Sequence, residues 1–209
     1  MLKAADSALR FDEAAHAYYL GEQRLPSVTQ VLAQLEDWSK VDPVALELAR
    51  VRGTHIHRMV ELDVHGNLDE DTLAPEYHAY LRQWRKFLAE TRFKPLLAEC
   101  RVHDERYGYA GTFDLAGTLS TQFVLVDVKS GLVPRTVPLQ TAAYLGAAQH
   151  RGKFPASASR AALRLHEDHY RFFPIQTPFA SDLGDFLAAV RLHAWRERNL
   201  STTGEHNGR

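Results

Sequence analysis

Gln122-Phe123-Val124-Leu125-Val126-Asp127-Val128-Lys129 sets the frame for the rest of the chain. An apolar run rich in β-branched and aromatic residues describes a buried strand. The run ends on two opposite charges. Side chains alternate faces along a strand, so Asp127 and Lys129 point one way and Val128 the other. Taken alone, Asp-x-Lys is a short pattern that often marks no more than a surface ion pair.

The neighbours change that weighing. Residues 109–116 read as a second strand, with Asp114 between Phe113 and Leu115, and residues 95–102 as a third. Turn signals at Tyr107-Gly108 and over 117–121 join them into a meander. Pairing through the second turn lets Asp114 and Asp127 converge. Converging carboxylates repel unless a proton or cation separates them. Their oxygens suit Mg²⁺ or Mn²⁺, and the Val128 carbonyl adds another oxygen. Lys129 beside such an ion is placed to position a water or to stabilise charge developing on a phosphate.

Further out, residues 11–25 suggest a hairpin turning near Gly21. Ser27 and Gln30 form a capping box for a helix over 27–36. Asp42-Pro43 starts a helix over 44–64, with Leu48, Val51, Ile56, Val60 and Val64 as its apolar positions. Gly53 interrupts it at a cost of roughly 1 kcal/mol of helix propensity. A helix from Pro75 carries the core stripe Tyr77, Tyr80, Leu81, Trp84, Phe87 and Leu88. Pro138 opens a helix over 138–150, and strands follow at 161–166 and 170–175. Ser181 is expected to cap a last helix over 182–198, with Phe186, Leu187, Val190 and Trp195 inward. Residues 1–200 read as one domain, and the polar tail 201–209 as frayed.

Composition narrows the class. The 209 residues include 25 Lys+Arg and 26 Asp+Glu, for a formal charge of −1, with 45% hydrophobic residues. A disordered chain and a generally cationic nucleic-acid coat are excluded, whereas a local basic patch is not. One cysteine, Cys100, excludes a disulfide framework, a four-thiolate zinc site and a four-cysteine iron–sulfur cluster, and it points to a cytoplasmic setting. No run approaches about 20 apolar residues, so neither a membrane span nor a membrane partner is expected.

The motifs, in order, resemble those of the PD-(D/E)XK nuclease superfamily, in its RecB-like or phage-type exonuclease branch. Leu25 to Leu32 is similar to the opening segment, and Arg52 to Glu61 to the first-helix motif, whose histidine falls on His57. Gly111-Thr112-Phe113-Asp114 matches the Gly-x-x-Asp strand, Asp127-Val128-Lys129 the (D/E)XK element, and Gln140 to Tyr144 the Gln-x-x-x-Tyr helix.

The resemblance implies an α/β (α+β) fold with a restriction-endonuclease-like core. That core is a central mixed β-sheet flanked by helices in the order α-β-β-β-α-β. It implies that His57, Asp114, Asp127 and the Val128 carbonyl bind Mg²⁺ or Mn²⁺ and that Lys129 is catalytic. Gln140 and Tyr144, on one helix face, border the site and contact DNA or orient the lysine. It also implies a metal-dependent deoxyribonuclease, an exonuclease of recombination, repair or phage DNA processing. DNA is the implied partner. A recombinase, a single-strand-binding protein or a helicase would assist, and a homo-oligomer is compatible with the branch. The competing readings are a non-catalytic nucleic-acid-binding module of the same fold and a hydrolase of other phosphate esters.

Several residues carry two readings. Glu61, four after His57, either orients the imidazole or forms a surface pair. His55 lies about 200° from His57 around a helix and should not share its ion. Glu99 reaches the metal or DNA, or forms a salt bridge. Arg135, Arg151, Lys153 and Arg160 line a phosphate track or a solvated surface. Tyr107 and Tyr109 stack on a base or pack in a strand, and Cys100 reads as inert core.

Overall fold

The computed structural model describes residues 9–200; the tail at 201–209 lies outside the described residues. The chain opens on a small antiparallel sheet of β1 (Leu9–Asp12), β2 (Ala17–Leu20) and β3 (Gln23–Leu25). The expected hairpin therefore gains a third strand, with Gly21 at φ +60° in one turn. α1 (Val28–Ala33) follows, closed by the Ser27–Gln30 capping box. α2 (Pro43–Val64) starts where Asp42 accepts from the Ala45 amide. Two short 3₁₀ turns lead into α3 (His78–Thr91).

The central sheet holds β4 (Lys94–Asp104), β5 (Tyr109–Leu119), β6 (Gln122–Lys129), β7 (Ser159–Leu165) and β8 (Tyr170–Pro174), in that spatial order. β4, β5 and β6 form the antiparallel meander. β6 and β7 run parallel, which requires a crossover, and α4 (Val137–His150) makes it. α5 (Phe179–Leu200) closes the described chain. The α-β-β-β-α-β order is thus present as α2/α3, β4–β6, α4 and β7. This is the restriction-endonuclease-like arrangement of a five-stranded mixed sheet flanked by helices.

Strand alternation in β6 feeds two cores. Val126 and Val128 pack with Ile56, Met59, Trp84 and Phe87 from α2 and α3. Leu125 packs with Val31, Leu145 and Phe186 from α1, α4 and α5. Among the described residues, no helix is long and apolar enough to cross a membrane.

Four local expectations are corrected. Gly117 is not in a turn. It lies inside β5, where a Cβ would collide with the Lys94 carbonyl oxygen, beside the register shift between Pro95 and Leu97. The turn is the tighter Ser120-Thr121 pair. Ser181 lies within α5 rather than capping it. Trp195 is 50% exposed instead of inward, because the last turns of α5 run past the core. Leu48 and Val51 are exposed too, since only the C-terminal half of the 22-residue α2 packs on the sheet.

Arg160 also differs from both of its expected places, a phosphate track or a solvated surface. It is 4% exposed and pairs with Asp182 at 2.8 Å, while donating to the Pro138 and Thr177 carbonyls. It therefore ties β7 to α4 and α5. Replacing Asp182 by alanine leaves a buried guanidinium without its counter-charge. Urea unfolding of Asp182→Ala should show a loss of about 3 kcal/mol. An unchanged unfolding free energy would contradict this anchoring.

Candidate metal and phosphodiester site

The site forms where β5 and β6 part. Their ladder ends at Leu115 against Val126, so Asp114 and Asp127 come next on adjacent strands. Asp114 Oδ2 accepts from the Val128 amide at 2.6 Å, so a side chain replaces the missing ladder bond. On the other flank, Asp127, Val128 and Lys129 stay in register with Ala162, Leu163 and Arg164 of β7. One edge of β6 is thus held by a strand and the other by a carboxylate.

Asp127 is 1% exposed, and Lys129 Nζ lies 2.8 Å from its Oδ1 and 2.7 Å from Oδ2. Only the Oδ1 contact has hydrogen-bond geometry. Oδ2 is left as a buried acceptor without a hydrogen bond among the described residues. Burial pushes the Asp127 carboxyl above the usual carboxylate range, and the Asp114 charge adds to this while Lys129 opposes it. Burial likewise raises Asp114, against the pull of His57 and Lys129. For Lys129, burial favours the neutral amine, but Asp127 and Asp114 outweigh it and its pKa rises. Lys129 is therefore an ammonium at neutral pH and acts by charge and position.

His57 enters from α2. Its Nε2 lies 3.0 Å from the Val128 carbonyl, and its Nδ1 lies 3.2 Å from Glu99 and 3.5 Å from Asp114. Acceptors face both ring nitrogens, an arrangement that suits imidazolium. Burial alone would lower its pKa, but the charges of Asp114 and Glu99 prevail and bring it to about 9. The protonated ring thus supplies positive charge among acidic oxygens.

Glu99 is the residue the sequence reading underweighted. His57, Glu99 and Asp114 offer ligand atoms that all lie within 4.8 Å of one another. The pairs Ala98–Leu115 and Cys100–Phe113 flank Glu99, so it stands opposite Asp114. Its φ of 46° is in the left-handed region, rare for a non-glycine residue and common where a site holds a side chain against its backbone preference. Glu61 pairs with Arg58 at 2.6 Å, and the imidazole leans on Glu99 instead.

From α4, Gln140 Oε1 lies 3.5 Å from Lys129 Nζ, and its amide donates to the Tyr144 hydroxyl at 3.4 Å. Gly111 explains itself here: a Cβ on it would lie 2.5 Å from Tyr144 Cε1. Tyr144 is 3% exposed, so it supports Gln140 from within the core and has no surface to offer DNA. Arg135 is exposed but does not border the cleft, and Lys153 is half-buried away from it. Arg151 pairs with Glu105 at 3.0 Å. Tyr109 is buried and donates to Ala143, and Tyr107 packs near His150. His55 sits against Tyr77, on another part of α2.

The arginines that do border the site are others. A cleft of about 1150 Å³ opens over His57, Glu99 and Lys129, and Arg50, Arg52, Arg58, Arg101 and Arg164 line it. The basic residues expected at the site all follow β6, whereas most of these lie on α2, ahead of the strands.

The donors fit a hard divalent cation. They are carboxylate oxygens, one buried and without a hydrogen bond, a backbone carbonyl and a single imidazole. No family model and no curated protein matches this chain. Several solved structures are distantly similar. An alkaline exonuclease (LHK-Exo) from Laribacter hongkongensis is 11% identical, with a TM-score of 0.36 over 69% of this chain and 84% of its own. SSO0001 is 14% identical, with a TM-score of 0.33 over 62% and 63%.

The raised pKa values set a pH dependence. His57 and Asp127 both hold protons more tightly folded than unfolded. Without metal, the stability they contribute is complete at low pH. It declines as pH climbs past the carboxylate range for Asp127 and then through about 9 for His57. A metal ion must displace those protons, so its grip strengthens as pH rises. At a fixed Mn²⁺ concentration, the rise in melting temperature should be small at about pH 5.5 and larger at about pH 8. A shift independent of pH would contradict the ligand assignment.

Proposed function

We propose that this chain is a divalent-metal-dependent deoxyribonuclease that hydrolyses phosphodiester bonds, acting as an exonuclease in DNA recombination, repair or phage DNA processing. One observation carries the reading. An ammonium bonded to Asp127 stands beside the His57–Glu99–Asp114 cluster, at the floor of an arginine-lined cleft. Asp114, Asp127, Glu99, His57 and the Val128 carbonyl would hold Mg²⁺ or Mn²⁺. When bound, that ion lowers the pKa of a water and neutralises phosphate charge.

The protein's own groups supply the rest. Lys129, fixed between Asp127 and Gln140, presents its charge to the phosphate and orients the attacking water. Gln140 is steadied by Tyr144, and Tyr144 by the space that Gly111 leaves. Cleft arginines not engaged by a carboxylate hold the flanking phosphates.

End-labelled linear DNA should be degraded with Mg²⁺ or Mn²⁺ and spared with EDTA, while a covalently closed circle resists. Lys129→Ala should lower the rate by about 10²–10³ or more. Equal rates for wild type and Lys129→Ala would end this reading.

A further inference from the structure

The cleft lining combines two chemistries. Its apolar part comes from the α1–α2 connection and the exposed half of α2: Trp38, Val41 and Leu46. Trp38 is 37% exposed, yet its indole N–H donates to Glu36 Oε2 at 3.0 Å. The other Glu36 oxygen accepts from Thr136 at the start of α4. The indole is thus tethered by its polar edge to the start of α4 through Glu36.

Arg52 and Arg164 line the same cleft. The Nε atoms of both are buried without a hydrogen-bond partner among the described residues. Arg164 registers against Lys129 across the parallel ladder. Arg52 Nη2 lies 3.8 Å from the position a Gly131 Cβ would take, two residues beyond Lys129. Two other arginines of this cleft are already engaged, Arg50 by Glu47 and Arg58 by Glu61. A buried guanidinium N–H is costly to leave unmatched, and a phosphate oxygen matches it well.

We propose that the cleft takes a single unpaired DNA strand, with its phosphates on Arg52 and Arg164 and its bases against Trp38 and the neighbouring apolar wall. This rests on the deoxyribonuclease reading and names its substrate class. A duplex hides its base faces in the stack and would set phosphates or groove edges against the apolar wall. An unpaired strand offers both anions and flat apolar rings, and the cleft lining holds a partner for each. A second copy of the chain could cover the apolar residues but would not by that contact satisfy the two arginines.

The test is fluorescence anisotropy with full-length Lys129→Ala in Mg²⁺, using a short mixed-sequence oligonucleotide and its blunt duplex. The single strand should bind at least about tenfold more tightly. Trp38→Ala should weaken strand binding about tenfold, and Trp38→Phe should restore most of it. Combining Arg52→Gln with Arg164→Gln should weaken strand binding and reduce the log–log salt slope by about 1 to 2. Equal or tighter duplex binding would overturn the proposal. So would unchanged strand binding by Trp38→Ala, or a dimer in sedimentation that Trp38→Ala dissolves. Failure of the deoxyribonuclease reading shows separately, as absence of metal-dependent cleavage by the wild-type protein whatever it binds.

Discussion

Like charge held out of water is the constraint around which the site is arranged. Asp114 and Asp127 lie on adjacent strands, both buried, where repulsion and lost hydration each favour the protonated form. The chain surrounds them with compensation: the Lys129 ammonium on Asp127, the Val128 amide on Asp114, and an imidazolium from α2. Each of these comes from an element with its own reason to be there. β6 is held by β7, α2 by the core around Ile56 and Trp84, and α4 by the crossover that parallel strands require. The sheet could be assembled without these charges, since its cores are apolar on both faces. The charges instead make the parting of β5 and β6 a place where a cation is favoured.

Much of this was legible in the sequence because strands have a strict period. The alternation in residues 122–129 assigns Val126 and Val128 to one core and Leu125 to the other, and the three strands appear in the expected order. Helix starts at Ser27 and Asp42 were legible because capping is local chemistry. Glu99 was not, because its importance is set by register. The β4–β5 hairpin pairs Ala98 with Leu115 and Cys100 with Phe113, which brings Glu99 opposite Asp114, and a one-residue slip would have sent it away. Carrying the register from the 105–108 turn is the signal that would have found it.

The cleft walls were less legible for a related reason. Arg52 and Arg164 are over 110 positions apart in the chain and meet at the site only through tertiary packing. Leu48 and Val51 obey helical periodicity and yet face outward, since periodicity describes a stripe and not what covers it. Arg160 differs in the opposite sense: expected on a phosphate track or a solvated surface, it is a buried anchor to Asp182. Tyr144 was placed on the correct helix face but at the wrong depth, beneath Gln140 rather than beside the substrate.

If these acidic side chains jointly hold one divalent cation, anomalous diffraction from crystals soaked in Mn²⁺ will locate it. A peak should appear bonded to Asp114 and Asp127, with His57, Glu99 or the Val128 carbonyl completing the set and Lys129 alongside. A peak elsewhere, or none at saturating Mn²⁺ and alkaline pH, would contradict that joint hold.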